Sequence, residues 1–353
     1  MDKLMMTSKE RWLAVLHREK PDRIPMDYWA TPEATEKLLR HTGCDCFETM
    51  ADKLHIDYLV NVEPVYVGPP VANDADTFGC RFVEMDYGHG IYRECVYHPL
   101  AQYDSVEAIE RSYSWPSPDW YDYRTIPQQI AGKEDHAVRG GGSEPFLIYC
   151  RLRGLEQAYM DLAMQPEMVG YCLDKLFDLA YENTRRIYEQ IPGRVTFSYI
   201  AEDLGSQTSL LFSPETIRTV FFPRMKRMMD LAHEAGVYVF THSDGSIREI
   251  IPDLIALGID LLNPIQWRCK GMERQALKRD FGEQVIFHGG VDNQVTLAFG
   301  TPDDVRREVQ DNIDILGQNG GYILAPCHNI QEISPPENIV ALYEAGYTYG
   351  QSS

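Results

Sequence analysis

The sequence predicts an α/β protein of the (β/α)8 TIM-barrel class. Three observations lead there. From about residue 155 onward, short apolar runs alternate with amphipathic helical stretches, the pattern of βαβ units on a parallel sheet. Counted over the whole chain, strand candidates number about eight, which a closed barrel requires. Polar residues recur at the C-terminal ends of these strands all the way along rather than at one switch point. That favours the barrel over a doubly wound sheet, the alternative. The 353 residues, 44% of them hydrophobic, are read as a single domain over 1–353.

Residues 7–19 (TSKERWLAVLHRE) read as a helix capped by Thr7 or Ser8, with Trp12, Leu13, Val15 and Leu16 on its apolar face. Pro21 ends it. The run at 23–29 (RIPMDYW) predicts the first strand. Residues 31–41 predict a helix with Pro32 in its first turn and Gly43 past its end, and 57–63 (DYLVNVE) the second strand. Between 66 and 100, Gly, Pro, Asp and aromatic residues dominate. This predicts a β-hairpin insertion after the second strand, with Gly88 and Gly90 at a turn and His89, Tyr92 and His98 either lining the barrel mouth or on the plain surface. A short helix at 105–112 and a loop at 115–120 follow. Gly140 to Gly142 reads as a glycine loop leading into a third strand at 145–152 (PFLIYCRL).

Helices from 155 and over 166–190 lead to the fourth strand, 195–200, which ends in Ala201, Glu202 and Asp203. A helix over 214–235 has Ser213 as cap, Glu215 in its first turn and Gly236 as its stop. The fifth strand, 237–245 (VYVFTHSDG), turns polar at its tip. Residues two apart on a strand face the same way, so His242 and Asp244 share a face. Helix 247–256, strand 260–266, helix 272–281, strand 284–292, helix 302–317, strand 321–329 and helix 336–346 complete the alternation.

A net charge of -20 and a pI near 4.9 argue against a nucleic-acid partner on electrostatic grounds. The segment MDKLMMTSKERW has no apolar signal core, and no run approaches the ~20 apolar residues of a membrane span. The expected setting is cytoplasmic. Eight cysteines with no CxxC pair make no disulfide framework and read as reduced thiols.

The strand tips carry the candidate chemistry: Glu202 and Asp203, His242 and Asp244, Asn263 and Gln266, His288 and Asp292, and Cys327 and His328. Two or three histidines with a carboxylate match a catalytic zinc site that keeps one position open. The candidate metal set is His242, Asp244 and His328, with Cys327 or Glu202 as an extra ligand. Glu202, Asp203 and His288 are the catalytic candidates, and Gln207, Asn263, Gln266 and Asp292 the substrate-facing ones. Plainer readings stand beside these. Glu202 and Asp203 fit a loop cap as well as a proton carrier. Cys327, after Pro326, fits a small buried apolar residue as well as a ligand. His288 precedes Gly289 and Gly290, which suit either a turn or a close ligand approach.

Six stretches carry a family resemblance: ERWLAVLHREKPDRIPMDYW, AEDLGSQTSLLFSPE, THSDGSI, LLNPIQ, FHGGVD and LAPCHNIQEISPPENI. In these the chain resembles the uroporphyrinogen decarboxylase family, and more closely its corrinoid-dependent methyltransferase branch. The resemblance implies a (β/α)8 barrel and zinc. It implies methyl transfer between a small methylated substrate or thiol and a corrinoid, as on methylcobalamin. No Asp-x-His-x-x-Gly corrinoid-ligand motif occurs in the chain, so a partner protein would carry the corrinoid. A homodimer is compatible with it.

The departures matter as much. The decarboxylases' Arg-Gln-Ala-Gly-Arg-Tyr run is replaced by Asp27, Tyr28, Trp29, Ala30 and Thr31, and their Phe-Ser-Asp by Val60, Asn61 and Val62. That ranks decarboxylation second, with a non-catalytic tetrapyrrole- or corrinoid-binding barrel as a third reading. In the thiol-methylating members zinc sits on a His-x-Cys motif and a later Cys. Here those positions read His242, Asp244 and His328, with Cys327 adjacent. Harder ligands make a stronger Lewis acid.

Overall fold

The computed structural model describes residues 5–86, 88 and 91–351. Its strands are β1 Val60–Val62, β2 Val65–Tyr66, β3 Arg81–Asp86, β4 Ile91–Tyr97, β5 Tyr121–Asp122, β6 Val138–Ser143, β7 Phe197–Ala201, β8 Tyr238–His242, β9 Leu261–Asn263, β10 Ile286–Val291 and β11 Tyr322–Pro326. Seven of them form one curled sheet in the order β1-β6-β7-β8-β9-β10-β11, every neighbouring pair parallel. The strands from β7 onward are buried almost throughout, as expected of parallel strands covered on both faces, so they read as continuous apolar runs.

The expected first strand is reduced to isolated bridges, the second pairing Ala30 with Ile330. Met26 pairs in parallel with Leu324. The Asp27 N–H donates to Leu324 O at 2.9 Å, and the Leu324 N–H to Pro25 O at 3.0 Å. On the other side the Asp57 N–H donates to Met26 O at 2.6 Å, just before β1. Residues 25–27 therefore touch both edges of the sheet. Pro25 has no N–H to extend the ladder.

The expected third strand is a correction. Residues Pro145–Arg153 form an α-helix, whose buried Phe146, Tyr149, Cys150 and Arg153 have helical spacing. Pro145 suits a first helical position. The strand is β6, which includes the supposed glycine loop. Its glycines let other chain come close: a Cβ on Gly140 would lie 2.8 Å from Val62, and one on Gly142 1.9 Å from Tyr199 O. The pairing of β6 with β7 shifts register between Arg139 and Gly142.

Arg81–Asp86 and Ile91–Tyr97 form the antiparallel pair β3–β4. Gly90 and His89, placed at its turn by the sequence, lie outside the described residues. β2 pairs with β5, inside the stretch that follows the expected loop at 115–120.

The helix Ser8–Leu16 closes the bottom of the sheet. Thr7 and Glu10 form its capping box. Trp12, fully buried, packs with Phe197, Phe240, Leu261, Ile286 and Ile323, and its indole N–H donates to Asp57 O at 2.6 Å. The strands' N-terminal ends are thus filled with apolar side chains, which leaves the C-terminal ends for chemistry. Among the described residues no helix is long and apolar enough to cross a membrane.

Candidate metal centre

His242 is the last residue of β8, and only 5% of it is exposed. Its setting is built by a chain of hydrogen bonds across strand tips. Asp27 accepts from Tyr28 N at 2.9 Å and from Trp29 Nε1 at 2.8 Å, and its Oδ2 lies 3.0 Å from His288 Nε2. A carboxylate only accepts, so His288 Nε2 carries the proton. His288 Nδ1 then accepts from Asn263 Nδ2 at 2.7 Å, which turns Asn263 Oδ1 toward His242 Nδ1 at 2.6 Å. An amide oxygen also only accepts, so the His242 proton sits on Nδ1 and Nε2 keeps a lone pair.

That lone pair faces two carboxylates. Asp203 Oδ1 lies 3.7 Å from His242 Nε2, and Asp244 Oδ1 lies 3.8 Å away. One ligand atom from each of the three residues fits within 4.8 Å of the others. Among the described residues no other group of three such side chains converges this way. His328 Nε2 stands 3.8 Å from Asp244 Oδ2, at the edge of the group. Acceptors face acceptors here, an arrangement that a divalent cation would satisfy.

The loops after β7 and β8 bring the two aspartates together. Gly205 and Gly245 sit so close that a Cβ on Gly205 would lie 2.5 Å from Asp244 O, and one on Gly245 2.5 Å from Ser206 O. In that contact Asp203 Oδ1 accepts from Asp244 N at 3.1 Å. Gln266 braces Asp244: its Nε2 donates to Oδ1 at 2.9 Å, while its Oε1 accepts from Gly245 N at 2.7 Å.

The centre is short of positive charge. Burial pushes the Asp244 carboxyl above the usual range, Asp203 adds to the rise, and His242 and His328 oppose it. Burial likewise raises Glu144, with Asp203 and Asp244 adding to it. Glu202 is pushed well above the usual range by burial, with Glu144 and Asp203 adding; the Phe146 N–H opposes this. Its two oxygens accept that N–H at 3.2 and 3.3 Å, so Glu202 ties the helix Pro145–Arg153 to the tip of β7.

Other sequence candidates have different places. Cys327 is buried, and its thiol donates to Ile265 O at 3.1 Å, away from the cluster. Burial holds that thiol well above its ordinary pKa, and Glu308, Asp292 and Asp244 add to the rise. His288 is fully buried against Trp12 and Phe240 and orients Asn263. Asn263, also buried, links the two histidines. Asp292 pairs with Arg268 at 2.7 Å and accepts backbone N–H groups of Gln294, Val295 and Thr296, each at 3.1 Å, which shapes the loop after β10. Gln207 is exposed beside Cys269.

Two cavities meet at Glu144. One, of about 870 Å³, is lined by Glu202, Asp203, Asp244, Gln207, Gln266 and His328. The other, of about 830 Å³, is lined by Asp27, Trp29, Asn61, Arg139, Ser143 and Tyr199. Sequence reading missed the parts of Asp27, Trp29, Tyr199, Arg139 and Glu144.

Fold and site together define a parallel α/β protein with a His-Asp-Asp centre at the C-terminal ends of its strands. The uroporphyrinogen decarboxylase (URO-D) family model matches residues 119–349, and the chain belongs to that family. The chain is 23% identical to a uroporphyrinogen decarboxylase of Legionella pneumophila (strain Corby) over 283 residues, 77% of this chain and 74% of the relative. It is 30% identical to one of Dechloromonas aromatica (strain RCB) over 116 residues, 33% of this chain and 30% of the relative. Among solved structures a methyltransferase from Methanosarcina mazei shares the fold, with a TM-score of 0.69 at 18% identity, covering 98% of this chain and 99% of that one.

Proposed function

We propose that this chain is an enzyme, a (β/α)8 barrel that catalyses metal-assisted methyl transfer between a small methylated substrate or thiol and a corrinoid carried by a partner protein. The observation that carries the reading is the His242 lone pair, fixed by the Asp27–His288–Asn263 relay and aimed at Asp203 and Asp244. His242, Asp203 and Asp244 would hold the metal, with His328 beside them and one position left to substrate. A zinc-type ion so held would supply Lewis acidity toward the substrate's heteroatom.

The protein's own groups do the rest. Asn263 and His288 hold the His242 tautomer. Gln266 orients Asp244. Exposed Asp203, at the cavity wall, borders the space left to substrate. Glu202, its carboxyl pushed above the usual range by burial, secures the wall formed by helix Pro145–Arg153. The cavity rim supports a docking partner: Leu147, Leu155, Tyr159, Leu211 and Phe299 all line it and are all exposed.

Purified protein mixed with a methylated corrinoid protein, or free methylcobalamin, and a panel of thiols and demethylated acceptors tests this. A change in the cobalt absorption spectrum is expected, and an unchanged spectrum across the panel overturns the reading. The names of the two curated relatives favour a second reading, decarboxylation of a small acid, which carbon dioxide release from an acid panel would reveal.

A further inference from the structure

The fold pairs its buried arginines with aspartates. Arg11 and Arg23 bind Asp57, and Arg153 binds Asp161. Arg139, on β6, is half-buried at a cavity wall and is not paired in this way. Its Nε donates to Asn61 Oδ1 at 2.7 Å, and its guanidinium lies over the rings of Trp29 and Tyr199, 5.4 and 5.3 Å from their centroids. Asp27 and Glu63 act on it only through space, and among the described residues it has no ion pair. Burial draws its pKa down, yet a guanidinium stays charged at any ordinary pH. A charge partly withdrawn from water and without an ion pair, facing a cavity, suits a ligand that supplies the counter-charge.

The surroundings fit that ligand. Arg139 lines the cavity of about 830 Å³, together with Asn61 and Ser143. Ser143 is 8% exposed and its hydroxyl has no partner in the protein. Leu176, Leu179 and Ile187 give the same cavity apolar wall. Trp29 and Tyr199 stand between the arginine and the metal centre: their rings also lie 6.0 and 5.6 Å from the His242 ring. A guanidinium with its ring-facing side covered offers its edge, which matches the two oxygens of a carboxylate.

We propose that Arg139 and Asn61 form an oxyanion subsite that holds the carboxylate of a substrate with an apolar body, whose reacting end lies past Trp29 and Tyr199 at the His242 centre. This rests on the reading of that centre as the reacting site, but its test does not. Titration calorimetry on the purified chain would compare acetate and benzoate with their neutral counterparts acetamide and benzamide, and methanesulfonate with methanesulfonamide. Wild type should bind at least one anion about tenfold or more tightly than its amide. A preference for the carboxylates assigns the anion class as proposed, and a preference for the sulfonate alone overturns that assignment. Arg139→Gln should lose the preference, and Arg139→Lys should keep part of it, as a charge without the fork. The titrations are run on chelator-treated protein, where the anion preference should persist, so failure of the metal reading is told apart from failure here. Equal binding of acid and amide by wild type, or an undiminished preference in Arg139→Gln, overturns the subsite. Should Arg139→Gln melt as an unfolded chain, Arg139→Lys and Asn61→Ala carry the test, and unchanged anion affinity in both overturns it.

Discussion

Asn263→Leu tests the relay on which the His242 geometry depends. The two side chains have similar volume, so the change opens little cavity and isolates the hydrogen bonds. It removes two: His242 Nδ1 to Oδ1 at 2.6 Å and His288 Nδ1 to Nδ2 at 2.7 Å. His242, Asn263 and His288 are all buried, so water does not replace what is lost. Each stranded group costs about 1–3 kcal/mol, so the expected loss of stability is roughly 2–6 kcal/mol. The effect on the centre is separate. Without Asn263 the His242 ring is no longer held with Nε2 toward Asp203 and Asp244, and loss of such an outer partner weakens metal binding about 10–100-fold. Urea unfolding of the metal-free protein gives the first quantity, and competition with a chelator for zinc gives the second. Unchanged zinc affinity in a folded Asn263→Leu protein would refute the relay.

Two further outcomes follow from the same geometry. Cys327→Ala should keep the metal content of wild type, because the thiol is spent on Ile265 O, and should cost only the modest stability of a small buried truncation, about 1–2 kcal/mol; loss of metal in this variant would restore Cys327 as a ligand. Glu202→Gln should change how stability depends on pH. The carboxyl's pKa is raised on folding, so above the unfolded value the unfolded chain has released a proton that the native protein still holds, and wild-type stability falls as pH climbs from about 4.3 to the native value. Unfolding across that window should show a wild-type slope that the variant lacks, and parallel curves would count against a protonated Glu202.

Much of the fold was legible because its strands are buried on both faces. Such strands are unbroken apolar runs, and β7 to β11 stand out between amphipathic helices. Where apolar length and period disagree, reading by eye failed. PFLIYC has the composition of a strand, yet Phe146, Tyr149, Cys150 and Arg153 follow a helical face. The real strand hid behind glycines whose purpose is close packing against Val62 and Tyr199, which are distant in sequence.

The site divided in the same way. His242 and Asp244 announced themselves by alternation at one strand tip. Asp203 was visible as a carboxylate, but its place beside them depends on the Gly205–Gly245 contact between two loops. The relay from Asp27 to His242 joins residues as much as 261 positions apart, and local spacing carries no trace of it. Cys327 and His328 are adjacent in sequence but differ in direction, the thiol toward Ile265 and the imidazole toward Asp244.

The central claim is a metal held by His242, Asp203 and Asp244. Elemental analysis of the purified protein, wild type beside His242→Ala and Asp244→Ala, addresses it directly. The structure predicts about one zinc-type ion per chain in wild type and a large loss in both variants. A wild-type protein that takes up no metal even after incubation with zinc, or a His242→Ala protein that retains it fully, would contradict the account.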